Sequence, residues 1–260
     1  MSHGLGVVYE PHDPRTERYP ASDLIGIGSP VSGPMVDHVH APDGWPDQFS
    51  TESCVGQAIR QAVWIRQAML GIPIGKRIAP SDRDIYYRAR ASRHGWKNVV
   101  DIGSNPVAGW ECLRDPLGIV EYDALPFDAS KVDDAPSPSI YRRSIDRDWL
   151  HYHWLLDDDS RLTDLDALLG TGRPVVGAVT VDQGLLDWTP SQGPWRYRGP
   201  RKGGHYLCFV HADRESCWAI GSWGSDYGAG GLHQIARSEM ASSRVSYLAT
   251  PDIDPERVMR

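Results

Sequence analysis

The chain has 260 residues, 40% of them hydrophobic and 23% charged. That is an ordinary globular composition with room for one large domain or two packed lobes. A net charge of −7 with no Lys/Arg stripe excludes an electrostatic footprint for nucleic acid, and no 18-residue apolar run exists to span a membrane.

Residues 1–47, rich in Pro, Gly and His, carry no helical period and predict an extended arm over the surface. The opening MSHGLGVVYEPHDPR lacks a secretory layout, so a cytoplasmic or virion-associated location is expected. From Cys54 to Leu70, apolar residues at Val55, Ala58, Ile59, Ala62, Val63, Ile65 and Met69 make a wide helical stripe, ended by Gly71 and Pro73. A second helix is expected from Ser81, where Ser81 and Asp84 give a capping-box-like start, and a third over PVAGWECLRDPLG. The proline-rich DDAPSPS at 133–139 marks the boundary between halves, and LTDLDALLGTG reads as a short helix. Five β-branched or aromatic runs follow: RPVVGAVTV, HYLCFVHA, SCWAIGSW, GGLHQIA and RVSYLAT. Helices first and antiparallel strands after define an α+β fold of two lobes.

Four scattered cysteines, at 54, 112, 208 and 217, frame neither a disulfide scaffold nor a CxxC knuckle, so free thiols in a reducing compartment are expected. Cys54 has a second reading. A thiolate is favoured in the first turn of a helix, where unpaired N–H groups and the positive end of the dipole meet it. Such a nucleophile also needs an imidazole for proton transfer and an oxyanion donor. Gln48, six residues earlier, has an amide that can turn back to the thiol, and His205 opens a strand after two glycines. From the residues alone, Cys54 and His205 read more readily as core side chains, and Gln48 as a loop residue.

The order Gln48, Cys54, then Gly204-His205, then Ser222-Trp223-Gly224 and the glycine-rich DYGAGG resembles the papain-like cysteine peptidases. The resemblance extends over PHDPR (as in bacterial and phage members), PSDRDIYYRAR, GIVEYDALPF and LGTGRPVVGAVTV, and so covers much of the chain in the family's order. It implies a papain-like domain at 48–260, with a helical lobe at about 48–130 facing an antiparallel β-barrel-like lobe at about 140–250. It also implies hydrolysis of peptide or isopeptide bonds, with Cys54 as nucleophile, His205 as acid–base and Gln48 in the oxyanion hole. Trp223 would cover the histidine, with Ser222 beside it. No cofactor or metal is implied, and the partner is a peptide or protein substrate. By the resemblance, GSNPVAGW at 103–110 would form the wall along which a peptide lies; it reads equally as a plain loop.

One position departs from the pattern. Gly221 stands where the family carries the Asn that orients the histidine. Ser222 is a poor substitute, because neighbouring strand residues face opposite ways. Either water or another loop orients His205, or the site has decayed and the chain is a structural component of a larger assembly such as a phage particle. A third reading keeps the thiol chemistry but makes the enzyme a cell-wall peptide amidase. A helical inhibitory pro-region is not expected, because the 53 residues before Cys54 lack helical pattern. The pairs His38/His40 and His151/His153 lack further ligands at metal spacing and read as solvated or stacking residues. LLDDDSRLTD reads as a solvated turn before a helix, and Cys208 and Cys217 are expected near facing positions of a hairpin.

Overall fold

The computed structural model describes residues 4–9, 24, 35–38, 44–97 and 99–260. The PHDPR stretch, His40 and the His38 side chain lie outside the described residues.

The first lobe is built on α1 (Cys54–Met69), against which α2 (Asp82–His94) and α3 (Pro106–Glu111) pack. Capping sets the starts of the latter two. Ser81 accepts the amide of Asp84 before α2, and Asn105 accepts those of Val107 and Ala108 before α3, with Pro106 at the first helical position. The sequence predicts α1 as an apolar stripe; the structure buries it on every side. Its polar residues find partners inside. Arg60 pairs with Asp82 at 3.2 Å, Arg66 donates to the Gly172 carbonyl, and the Gln67 amide exchanges two hydrogen bonds with the Ile78 backbone. Close helix approach explains two glycines: a β-carbon at Gly56 would meet the Asp82 carbonyl at 2.3 Å, and one at Gly109 would meet Val55 at 2.6 Å.

The proline-rich connector ends in α4 (Pro138–Tyr141), and the second lobe follows. It contains β1 (Leu150–Trp154), α5 (Arg161–Gly170), β2 (Val175–Val181), β3 (Gly203–Ala212), β4 (Ser216–Ile220), β5 (Leu232–Ala236) and β6 (Val245–Ile253). The strands form one antiparallel sheet in the order β1-β6-β2-β3-β4-β5. This corrects the barrel-like expectation: the sheet is open, with β1 and β5 as its edges. Closure is not needed to bury it, because α1 packs on β3 and β6 while α5 packs on β2 and β3. The strand β1 escapes sequence reading because LHYHW carries no β-branched residue; pairing with β6 decides its form.

The expected turn at LLDDDSRLTD is present. Asp158 accepts from the Ser160 amide and hydroxyl ahead of α5, bonds that hold its carboxyl below the usual range. The hairpin register corrects a second expectation. Cys208 pairs with Ile220 and Cys217 with Ala212, so the two cysteines do not oppose each other, and all four thiols are free and buried. A bulge between Phe209 and His211 shifts the pairing. Ile220 therefore lies opposite Cys208.

Candidate active site

The first helix begins with Cys54, and no acidic residue occupies its first turn, so no carboxylate competes for the positive end of the dipole. The sulfur lies at the junction of the lobes. The amide N–H groups of Tyr206, Gly6 and Val55 are directed at it. Tyr206 follows His205 on β3, the strand that packs against the helix Cys54 begins. Burial pushes the Cys54 thiol up to about 12; the amides of Tyr206 and Gly6 pull the other way, and the Glu52 charge adds to the rise.

His205 is buried beneath Trp223, whose ring stacks on it with centroids 4.2 Å apart and planes at 22°. The Tyr227 ring meets Trp223 edge-on at 4.7 Å. Gln48 is also buried, with its amide oriented from both ends: Oε1 accepts from the Ser222 hydroxyl at 2.5 Å, and Nε2 donates to the Thr51 and Gly4 carbonyls. Its backbone is tied to the second lobe, since the Gln48 N–H donates to the Ser222 carbonyl and Asp47 bridges Trp223. Ser222 thus serves Gln48. Replacing Ser222 with alanine is expected to cost about 1–3 kcal/mol in denaturant unfolding, because the amide oxygen is left unsatisfied inside.

Residues 4–9 occupy the groove between the lobes. The Val7 N–H donates to the Gly204 carbonyl, beside His205, at 3.2 Å. The Ser104 N–H donates to the Gly6 carbonyl at 2.7 Å, and the Val8 N–H to the Ser104 carbonyl at 3.1 Å. These are parallel bridges to both walls, and Ser104 belongs to the GSNPVAGW segment. The Gly4 carbonyl accepts from Gln48 Nε2 at 3.1 Å and from Trp223 Nε1 at 3.3 Å. Close fit demands glycine here: a β-carbon at Gly6 would stand 1.7 Å from the Glu52 carbonyl oxygen, and one at Gly4 would stand 1.9 Å from that of Thr51. The occupant is short and extended, unlike the helical pro-region considered from sequence. Its signal was the Gly-Leu-Gly spacing in HGLGVVY, which sequence reasoning passed over.

Gly221 supplies no side chain, but the space beside it is filled. A β-carbon there would lie 2.0 Å from Nε2 of His233, a buried residue of β5 absent from the sequence-derived candidates. His151 is exposed on β1, while His153 is buried with Nε2 3.6 Å from an Asp252 carboxylate oxygen. Among the described residues, no group of three or more His, Cys, Asp or Glu is arranged to hold a metal. No helix among them is long and apolar enough to cross a membrane.

The helical lobe packed on an antiparallel sheet is the two-lobe fold of the papain-like cysteine proteases. The whole architecture is similar to a cysteine protease from Xylella fastidiosa, xylellain, with a TM-score of 0.73 at 19% identity over 96% of each chain. It is similar to the procathepsin B S9 of Trypanosoma congolense, with a TM-score of 0.66 at 16% identity over 96% of this chain and 87% of the other. A digestive procathepsin L 3 of Tenebrio molitor larval midgut gives 0.63 at 16% identity, covering 92% of this chain and 77% of the other. No family model matches the sequence, and no curated protein matches it.

Proposed function

We propose that the chain is a papain-like cysteine peptidase of the bacterial or phage kind, held latent by its own residues 4–9. The observation that carries this reading is the convergence on Cys54: a helix-start thiol, the N–H of the residue after His205 on its sulfur, and a Gln48 amide fixed nearby. The fold shared with cysteine proteases supports it. In the proposed reaction the Cys54 thiolate attacks the scissile carbonyl carbon. Gln48 Nε2 and the Cys54 N–H receive the oxyanion, and protonated His205 hands its proton to the departing amine as the C–N bond breaks. Water, deprotonated by His205, then attacks the thioester and releases Cys54.

Latency follows from what meets the sulfur. The occupant presents the Gly6 N–H to it and spends the Gly4 carbonyl on Gln48, so it sits as a plug. A cavity of about 310 Å³ beside the plug, lined by Tyr9, Trp154, Tyr247 and Leu248 among others, offers an apolar pocket for a substrate side chain. The occupied groove also motivates the second reading, a non-catalytic component of a larger assembly.

An epoxide or vinyl-sulfone thiol probe separates the two. In full-length protein carrying Gly6→Glu, which cannot seat the plug, one probe per chain is expected on Cys54 and none with Cys54→Ala. A folded Gly6→Glu protein that leaves Cys54 unlabelled would put the assembly reading ahead.

A further inference from the structure

We infer that Tyr86 and Asp101 are positioning residues: their hydrogen bonds fix the Gly103-Ser104 wall against the chain leading into Cys54, so that an extended segment lying on the wall meets the thiol. For substrates this role rests on the peptidase reading of Cys54; for the seated arm it does not.

A single residue spans the distance from wall to sulfur. Gly6 turns its N–H to the Cys54 sulfur while its carbonyl accepts the Ser104 N–H at 2.7 Å. Val8 completes the pair by donating to the Ser104 carbonyl at 3.1 Å. A shift of the wall by about 1 Å would take one of these contacts out of hydrogen-bonding range. Gly103 makes the fit close: its φ is +80°, and a β-carbon there would stand 2.4 Å from the Gly6 carbonyl oxygen. Yet residues 99–104 belong to no helix or strand, and Val100 and Ile102, on either side of Asp101, are exposed. Neither regular structure nor burial of these two side chains holds the wall in place. Three hydrogen bonds do so instead. Asp101 Oδ1 accepts the N–H of Glu52, two residues before Cys54, at 2.9 Å, and the Tyr86 hydroxyl at 2.5 Å. The Tyr86 oxygen in turn accepts the Gly103 N–H at 3.1 Å. Bonds to a carboxylate oxygen are the stronger kind. Tyr86 is buried on α2, with the Arg90 guanidinium 3.7 Å from its ring centre, so the anchor is itself fixed. Nucleophile loop, wall and second helix are thereby tied at one point.

The test reads Cys54 alkylation by iodoacetamide at neutral pH in the full-length unsubstituted chain and in Tyr86→Phe, Asp101→Ala and Asp101→Asn. Tyr86→Phe keeps the ring and the Asp101 charge but has no hydroxyl to join Asp101 to Gly103. Asp101→Asn keeps an oxygen that can accept both bonds and removes the charge. It thus separates hydrogen bonding from the Asp101 charge, which adds to burial in raising the Glu52 carboxyl. Labelling of Cys54 is expected to be about tenfold faster in Tyr86→Phe and Asp101→Ala and close to the parent rate in Asp101→Asn. The buried Cys112, Cys208 and Cys217 should keep their rates. Parent-like labelling of Cys54 in both Tyr86→Phe and Asp101→Ala overturns the inference, and so does a rise shared by all four thiols, which a general loosening would give. In the Gly6→Glu background the same variants are compared on an extended peptide amide and on a single-residue acyl amide too short to reach the wall. The ratio of the two kcat/KM values is expected to fall about tenfold with Tyr86→Phe and Asp101→Ala, and to be retained with Asp101→Asn. Loss of folded enzyme lowers both values and leaves the ratio alone. An unmoved ratio overturns the role for substrates. A Gly6→Glu parent that cleaves neither amide, while alkylation responds as expected, removes the peptidase reading and upholds the tie between wall and thiol.

Discussion

Gly6→Glu in the full-length chain is expected to raise the rate of Cys54 alkylation by iodoacetamide about 100-fold or more at neutral pH. With residues 4–9 seated, burial holds the thiol near 12 rather than 9.0. Those three pH units correspond to about a thousandfold less thiolate at any pH below both values. Any side chain at residue 6 collides with the Glu52 carbonyl 1.7 Å away, and a carboxylate adds repulsion from Glu52 itself. The arm must leave, and solvent then reaches the sulfur. The sign of the pH dependence follows. A thiol raised on folding contributes stability that is fully present below about pH 9 and is lost as pH rises toward about 12. The reactivity of unsubstituted protein should therefore keep rising toward about pH 12, whereas that of the open variant levels off near pH 9.0 or below. Equal rates for the two proteins at neutral pH would show that the arm does not guard the thiol. Cys112, Cys208 and Cys217 are buried with raised values of their own and provide an internal reference.

Asp82→Ala is expected to lower the unfolding free energy by about 3–5 kcal/mol, measured by urea denaturation. Asp82 opens α2, where its carboxylate meets the positive end of the helix, and it faces Arg60 of α1 at 3.2 Å with both side chains closed to solvent. The Arg60 guanidinium also lies 4.6 Å from the centre of the Tyr122 ring, so it is fixed in place and cannot swing out to water. Removing the carboxylate strands a cation in the core. The double variant Arg60→Leu with Asp82→Ala should recover much of the loss, since no charge is then left inside. A loss under about 1 kcal/mol for Asp82→Ala would mean that Arg60 finds another route to solvent or partner.

Local rules made the first lobe readable. The period of α1, the Ser81 cap and the Asn105-Pro106 start each involve residues within a few positions of one another, and they set helix bounds close to those observed. Five of six strands were legible from β-branched and aromatic runs. The sixth, β1, was not, because only its pairing with β6 makes LHYHW extended. Sheet closure was misjudged for a related reason: a strand's own sequence does not say whether helix or strand covers its face. Trp223 stacks on His205 as the resemblance implies, yet Ser222 serves Gln48 rather than the histidine, a contact between residues 174 positions apart. The placement of His233 and of residues 4–6 stayed hidden because it arises from close approach. The space beside Gly221 is filled by the His233 ring, and Gly4 and Gly6 of the extended arm lie against the Thr51 and Glu52 carbonyls.

The account stands on Cys54 and His205 acting together on an amide bond. Its most direct test is mass-spectrometric detection of new termini after incubating Gly6→Glu protein with a denatured polypeptide. Cleavage that falls about 1000-fold or more with Cys54→Ala, and comparably with His205→Ala, is the predicted result. Absence of cleavage by a folded protein whose Cys54 is accessible to alkylation, or cleavage that survives Cys54→Ala, would contradict it.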